Sequence, residues 1–311
     1  MNRVIESGYI KNRKHESVKL FLMVLPCIGF VFLFSYLPLW GWLYSVIDYK
    51  IGTPLFDCEF VGLKYYTTLF RNPVRRLQLF NSLKNTFGMA ILDIIFSPLT
   101  PTFAIFLNEM NRTKYKKFIQ TATALPYFVS WVIVYSLAFY MFSTEGFVNN
   151  LLMLSGITDS PVNFLTSTNN VWLAMKGYQI WKNLGWSAIV YLAAISSIDP
   201  TLYDAAMIDG ANRMQRIWHI SVPGIIPTYF VLLIMQIGHF LNVGMEQYLL
   251  FGNAMNMQNV EVLDLFVYHK GIDNGQISFA TAIGIMKSVV SLVLFTFANI
   301  FSKRVRGTSI F

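Results

Sequence analysis

The sequence has few charged residues. Asp, Glu, Lys and Arg together make up 13% of the 311 residues, about half of the ~25% that soluble domains carry. Hydrophobic residues make up 55% and gather in long runs. This composition is typical of an integral membrane protein. We ascribe the net charge of +8 to basic loops on one side of the membrane rather than to nucleic-acid binding.

The sequence also lacks the patterns of most metal and catalytic sites. Its two cysteines, Cys27 in an apolar run and Cys58 in a predicted outer loop, form no disulfide framework and no Cys/His metal spacing. The dipeptide His15-Glu16 is not followed by the second histidine of a zinc helix, because position 19 is Lys19. No G-x-S-x-G nucleophile elbow occurs. We therefore expect no catalytic residue, no metal site and no enzymatic activity.

Nucleotide-binding and export signals are missing too. No Gly-Lys dipeptide occurs, which excludes a P-loop of the GxxxxGK[ST] type. The chain is therefore expected to hold no cofactor, and it cannot drive uphill transport with ATP alone. The first apolar run starts near Val18, is too long for a signal peptide and lacks a convincing cleavage site, so we expect it to remain as a membrane span.

Six apolar segments are long enough to cross a bilayer, which takes roughly 20 residues. They must be helices, because lipid offers the backbone no other hydrogen-bond partners. The sequence predicts an all-α membrane protein with one domain over residues 18–302, a basic tail at 1–17 and a second tail at 303–311. The predicted spans are Val18–Tyr44, Ser82–Phe106, Phe118–Phe142, Val171–Ser197, Gly224–Gly244 and Phe279–Phe301.

The basic residues predict the orientation of the chain. The loops on one side hold fourteen Lys and Arg residues, and those on the other side hold six. Because Lys and Arg accumulate in cytoplasmic loops, both termini are predicted to be cytoplasmic. The first outer loop departs from this rule with five basic residues. We expect it to pack along the outer surface, with residues 60–66 as the start of an interfacial helix.

A polar, helix-prone segment, residues 198–223, lies between the fourth and fifth spans. Asp199 is suited to cap a helix and Pro200 to its first turn. Gly210 ends that helix or permits a sharp bend, and a second amphipathic stretch follows. We predict a helix–turn–helix on the cytoplasmic face. An ordinary surface helix is the alternative that the residue types alone leave open.

The spacing within this segment resembles the EAA loop of bacterial ABC importer permeases. That loop reads E-A-A, three residues, Gly, nine residues, Ile, one residue, Leu-Pro. Here Asp204-Ala205-Ala206 is followed by Gly210 and then by Ile220-Ser221-Val222-Pro223, with Asp204 in place of Glu and Val222 in place of Leu. From Val18 onward the chain resembles maltose-type carbohydrate permeases, especially the branch that handles complex oligosaccharides and polysaccharide fragments. The motifs that carry this resemblance lie at residues 60–66, 125–131, 180–182, 191–194, 209–213 and 278–282.

The resemblance implies a type I ABC importer bundle with a coupling helix between spans four and five. It implies two paired homologous permeases, two ATPase subunits that bind ATP and Mg²⁺, and an extracytoplasmic solute-binding lipoprotein that delivers an oligosaccharide. The chain would be the transport subunit in the lipid of the bacterial plasma (inner) membrane, switching by rigid-body movement, with no nucleic-acid partner. The residues expected to contact the ATPase are Leu202, Tyr203, Asp204, Ala205, Ala206, Asp209, Gly210, Arg213, Arg216 and Pro223.

Polar and aromatic side chains inside the spans are candidates for a substrate path, because ionisable residues at membrane depth usually face a bundle interior or water. Sugar sites stack aromatic rings on pyranose faces and place charged or amide groups on hydroxyls. Bundle packing and interfacial anchoring explain the aromatic stripe at 178–186 as well. The candidates are Tyr178, Trp181, Lys182, Trp186, Asn242, Glu246, Gln247 and Lys287.

The nature of the solute stays open at this stage. Lys182 and Lys287 favour an acidic oligosaccharide. Asp93 either pairs with a lysine across the bundle or lines the path, and Lys176 either lines it or extends toward the interface. A permease for amino acids or peptides is one alternative, and a membrane enzyme or channel that works alone is another. Co-purification with an ATPase or a second permease distinguishes the last from the others.

Overall fold

The computed structural model describes residues 19–166, 168 and 170–306, with backbone only at 301–303 and 305–306. The whole predicted tail at 1–17, together with Val18, and residues 307–311 of the second tail lie outside this part. The described chain is helical, apart from loops and a bridge between Ile47 and Phe60. Its helices are α1 (19–31), α2 (Lys64–Arg71), α3 (Pro73–Phe96), α4 (Leu99–Asn108), α5 (Thr113–Ala124), α6 (Trp131–Phe142), α7 (Phe147–Leu154), α8 (Val171–Ser196), α9 (Pro200–Ile208), α10 (Arg213–Arg216), α11 (Val222–Gly238), α12 (Glu246–Phe251), α13 (Met257–Val260), α14 (Leu263–Tyr268) and α15 (Ile277–Arg306).

Five segments are long and apolar enough to cross a membrane. The predicted fourth span is the 26-residue helix α8, which is not among these five. Its face with Lys176, Gln179 and Asn183 lowers its mean hydropathy. The five segments are Lys19–Val46, Pro73–Asn108, Trp131–Leu154, Arg213–Gly238 and Ile277–Ile300.

Two predicted spans are interrupted. The predicted third span consists of α5 and α6, which are separated by a 3-10 turn at Leu125–Phe128 and by extended residues 129–130. Pro126 has no amide hydrogen to donate to the carbonyl of residue 122, so the α-helical hydrogen bonds of α5 do not continue through it. The predicted second span breaks between α3 and α4, where Pro98 follows Ser97.

Span ends also differ from the prediction. The second span begins at Pro73 rather than Ser82, because the side chain of Asn72 accepts hydrogen bonds from the first amides of α3 at 3.0 and 3.2 Å. The helix of the fifth span ends at Gly238 instead of Gly244. His239 then leaves the helical conformation.

Backbone contacts divide the chain into two compact units, where the sequence predicts one membrane domain. The smaller unit comprises the chain up to Thr68 together with Lys270–Ile285. In it, α1 continues through a π-helical turn and a 3-10 helix to Val46, and the apolar side chains of this segment are largely exposed. The carboxylate of Asp48 accepts a hydrogen bond from the hydroxyl of Tyr65 at 2.5 Å, which fixes the extended chain against α2.

The larger unit comprises Leu69–His269 and the chain from Met286 on. Helix α8 is its central element and packs against α3, α4, α5 and α11. Two buried apolar clusters lie along α8. The first includes Met89, Met175, Tyr248 and Leu265, and the second includes Ala104, Leu107, Ala188 and Ile225. These contacts place one face of α8 opposite α3, α4 and α11.

Candidate coupling loop and membrane cavity

The loop after α8 folds into the helix–turn–helix that the sequence predicts. The carboxylate of Asp199 accepts a hydrogen bond from the amide of Thr201 at 2.9 Å and caps α9. This bond holds the pKa of the Asp199 carboxyl below its ordinary value. Gly210 turns the chain with a positive φ of 77°, a conformation that side chains with a Cβ rarely adopt. Asn212 and Gln215 form a capping box at the start of α10.

Two contacts hold this loop in place, one to the end of α4 and one within the loop itself. The guanidinium of Arg213 forms an ion pair with Glu109 just after α4, with 2.6 Å between Nε and Oε2, and also donates to the Glu109 backbone carbonyl. The hydroxyls of Tyr203 and Ser221 lie 2.9 Å apart and are hydrogen-bonded. Arg213 and Tyr203, both predicted to contact an ATPase, therefore use their polar groups inside the chain.

The loop also exposes several large apolar side chains. Ile208 is 87% exposed, and Leu202, Met207, Met214 and Trp218 are more than half exposed. The loop also contains a depression of about 330 Å³. Among the predicted contact residues, Ala206, Asp209, Gly210 and Arg216 line it. Exposed apolar side chains clustered in one short segment fit a protein partner rather than solvent.

A second cavity, of about 450 Å³, lies within the larger unit. We call it the polar cavity. Its aromatic lining includes Phe96, Trp186 and Tyr191. Amides, hydroxyls and one Lys–Asp pair face these rings. The polar side chains are Asp93, Ser97, Thr100, Lys176, Gln179, Asn183, Ser187 and Gln236.

Of the eight predicted substrate-path residues, Trp186 lines the polar cavity. Its ring stacks on Tyr127 with 4.8 Å between centroids and 8° between planes. Tyr178 and Trp181 line a separate apolar cavity of about 500 Å³, and Tyr178 stacks on Phe251. The structure thus divides the predicted aromatic stripe between two cavities.

The two predicted lysines are occupied by partners within the chain. Lys182 is buried, and its ammonium donates to the carbonyls of Pro126, Tyr127 and Val129 in the break between α5 and α6. Lys287 forms an ion pair with Asp264. Neither lysine lines the polar cavity.

The remaining predicted residues lie elsewhere. Gln247 is buried and donates to the carbonyl of Met175 at 2.7 Å, so it serves packing. Asn242 and Glu246 are exposed. None of the three is among the residues that line the polar cavity.

The sequence reading missed most of the lining of the polar cavity, although α8 carries a signal for it. Lys176, Gln179, Asn183 and Ser187 follow one another at spacings of three and four residues, which places them on one face of a helix. Because aromatic residues lie at adjacent positions, the substrate path was predicted on the neighbouring face of α8. The partners on α4 and α11, Thr100 and Gln236, are isolated polar residues in apolar runs and carry no periodic signal.

The chain resembles several transport proteins along nearly its whole length. The polygalacturonan/rhamnogalacturonan transport system permease protein YteP of Bacillus subtilis (strain 168) is 41% identical over 290 residues, which cover 92% of this chain and 88% of that protein. Protein LplB of the same organism is 39% identical over 287 residues, with the same coverage of 92% and 88%.

A solved structure shares the fold. In the bacterial alginate ABC transporter in complex with alginate pentasaccharide-bound periplasmic protein, one chain is 35% identical and superposes with a TM-score of 0.84, covering 96% of this chain and 99% of its own length. The fold therefore defines the chain as a membrane-spanning subunit of an ABC transporter.

The chain belongs to the family of binding-protein-dependent transport system inner membrane components, and its residues 100–307 match that family. The predicted resemblance to importer permeases is confirmed. The protein is thus an integral inner-membrane transport subunit, and a membrane enzyme or channel that works alone is not supported.

Proposed function

We propose that this permease subunit carries an acidic, uronate-containing oligosaccharide across the inner membrane by alternating access. Import of carbohydrate agrees with its family and with relatives that are sugar-importer permeases. The observation that carries the proposal is the polar cavity beside α8, at the centre of the larger unit. Its volume lies within the range of roughly 300–1,000 Å³ of small-ligand sites.

The lining of the polar cavity suits a sugar. Amides and hydroxyls can exchange hydrogen bonds with sugar hydroxyls, since each offers donors and acceptors. The rings of Phe96, Trp186 and Tyr191 supply apolar surface for the faces of a pyranose.

The acidic character is supported by the names of the relatives and by one side chain. One relative is named for polygalacturonan and rhamnogalacturonan transport, and a second similar structure is of a transporter for the acidic polysaccharide alginate. The two lysines that favour an acidic solute in the sequence, Lys182 and Lys287, are engaged elsewhere. Lys176 is the cation that faces the polar cavity.

The topology of the chain and the other subunits of the importer are proposed from the family to which the chain belongs. We count α8 as a sixth span beside the five apolar ones, with both termini cytoplasmic. The loop at 198–223 would then dock an ATPase through Leu202, Ile208 and Trp218, whose exposed apolar side chains support a protein contact. A second permease, two ATPase subunits and an extracytoplasmic binding protein would complete the importer.

Uptake by the reconstituted importer tests the proposed solute. Proteoliposomes that hold the complex, with binding protein outside and ATP inside, should accumulate oligogalacturonate. Uptake of a neutral oligosaccharide, without competition by oligogalacturonate, would reject the acidic solute. Uptake of peptides or amino acids without any carbohydrate would reject carbohydrate import.

The docking role of the loop has its own test. Gly210→Trp and Ala206→Arg should leave membrane insertion intact but abolish ATPase stimulation by the loaded binding protein, because each places a bulky group in the depression at 206–220. Gly156→Trp is the matched control, since Gly156 also has a positive φ and open space around it but lies in a predicted outer loop. Normal stimulation in both loop variants would contradict the docking role.

A further inference from the structure

We propose that Lys176 and Asp93 set the charge selectivity of the polar cavity. In this inference Lys176 binds a carboxylate of the acidic oligosaccharide, and Asp93 limits how tightly it does so. The inference rests on the proposed function of the cavity as the sugar path, and it assigns the acidic preference to two side chains.

The pair is built into the cavity wall. Lys176 on α8 and Asp93 on α3 form an ion pair, and their side chains are 9% and 17% exposed. Lys176 also donates a hydrogen bond to Oε1 of Gln179 at 3.2 Å. All three residues line the polar cavity. Because an ammonium group has three N–H donors, Asp93 and Gln179 leave one donor of Lys176 for a ligand.

No other charged side chain is among the residues described as lining this cavity. A carboxylate that leaves water for such a site needs a cation or several donors, because burying an unpaired charge is very unfavourable. Lys176 supplies the charge and the free donor. The amide of Gln179, beside it, can contact hydroxyls of the same sugar residue.

Asp93 limits how tightly Lys176 holds a carboxylate. With Asp93 ionised, the charges of Asp93 and Lys176 cancel and the lining has no net charge. Neutral sugar hydroxyls can then bind there, and a carboxylate can still accept a hydrogen bond from Lys176. A lysine without a counter-ion would hold a uronate more strongly and release it more slowly. Transport requires release as well as binding. The ion pair therefore favours passage of acidic sugars over their retention.

The pair predicts an order among four forms of the importer. Asp93→Asn gives the lining a net positive charge and should lower the KM for oligogalacturonate about tenfold, with a lower maximal rate. Lys176→Gln leaves Asp93 alone and should raise the KM about tenfold or more, because one lost or gained charge contact of ~1.4 kcal/mol corresponds to that factor. The double variant Asp93→Asn/Lys176→Gln is neutral and should lie between wild type and Lys176→Gln.

A second lysine–aspartate pair supplies the matched control. Lys287 and Asp264 also form an ion pair, with side chains 13% and 21% exposed, but neither lines the polar cavity. Asp264→Asn and Lys287→Gln therefore measure the general effect of breaking such a pair. They should lower assembly or stability of the complex without changing the KM for oligogalacturonate in opposite directions.

The experiment uses the whole importer in proteoliposomes, with oligogalacturonate varied at a fixed excess of binding protein, and with assembly and basal ATPase activity measured for every variant. The proposed order, confined to Asp93 and Lys176, supports the inference. Equal KM values in wild type and both single cavity variants overturn it, as do equal shifts from the two pairs. If Lys176→Gln fails to assemble, the direction of the Asp93→Asn shift decides.

Failure of the inference can be told apart from failure of the proposed function. A wild-type importer that accumulates only neutral oligosaccharides overturns the charge selectivity but leaves carbohydrate import standing. A wild-type importer that accumulates no carbohydrate overturns both. Oligogalacturonate uptake that is indifferent to both cavity residues overturns the inference alone.

Discussion

Gly185 on α8 lies directly against the backbone of Thr123 on α5. A Cβ at position 185 would overlap the Thr123 carbonyl and lie 2.6 Å from the amide nitrogen of Ala124. One turn earlier on α8, Lys182 binds the carbonyls that follow α5, including that of Tyr127 at 2.8 Å. Helix α8 therefore holds the break between α5 and α6 through two adjacent turns, by close approach at one and hydrogen bonds at the other.

The first prediction concerns this close approach. Gly185→Ala should destabilise the protein by about 1–3 kcal/mol, because overpacking displaces the backbone, and Gly185→Val should do so more strongly. The midpoint of thermal unfolding in detergent measures the effect. Gly177→Ala on the same helix is the control, since nothing lies within 4 Å of a Cβ there. Equal midpoints for the two alanine variants would show that α5 can shift away from α8.

The second prediction separates two roles for Lys182. If it holds the helix break, as its three carbonyl contacts indicate, Lys182→Met should lower stability by about 1–3 kcal/mol, since charged hydrogen bonds are lost. The maximal transport rate should fall while the KM for the sugar stays constant. A rise in KM without loss of stability would instead indicate that Lys182 contacts the substrate.

The third prediction concerns Arg213 and Glu109. Reversal of either charge alone should reduce ATPase stimulation by the loaded binding protein, because the loop at 198–223 loses its tie to the end of α4. The double variant Arg213→Glu/Glu109→Arg should restore part of it. Arg213 is more than half exposed, so the effect on overall stability should stay small. Lack of rescue, with normal assembly, would show that Arg213 acts on another partner.

Local patterns in the sequence predicted most of the helices and the helix–turn–helix at residues 198–223. The cap at Asp199 and the turn at Gly210 depend on neighbours within a few residues, and the structure contains both. The partners of buried charges depend on contacts distant in sequence. Lys182 donates hydrogen bonds to carbonyls of residues 126–129, and Lys287 forms an ion pair with Asp264. Neither lysine therefore lines the polar cavity. Polar residues in a span signal that a partner exists, but the tertiary packing decides whether it is a sugar, a carboxylate or a backbone carbonyl.

The last prediction concerns pH on the side of the first outer loop. The hydrogen bond from the Tyr65 hydroxyl, followed by the charge of Lys64, holds the pKa of the Asp48 carboxyl below its ordinary value of 3.8. A carboxyl whose pKa is lowered by folding stabilises the folded protein at pH values above its ordinary pKa. This stabilisation is lost as the pH falls through the lowered pKa. Residues 47–61 should therefore keep their amide protection at pH 5 and lose part of it below about pH 3.8.

Amide hydrogen exchange, corrected for its intrinsic pH dependence, measures this loss of protection. Asp48→Asn should remove the step, because an amide does not titrate in this range. Tyr65→Phe is the matched control. It keeps the ring and the carboxylate but removes the largest cause of the shift, so the step should become smaller and move up toward pH 3.8. A step unchanged in Tyr65→Phe would mean that Lys64, 3.3 Å from the carboxylate, sustains the low pKa without the hydroxyl.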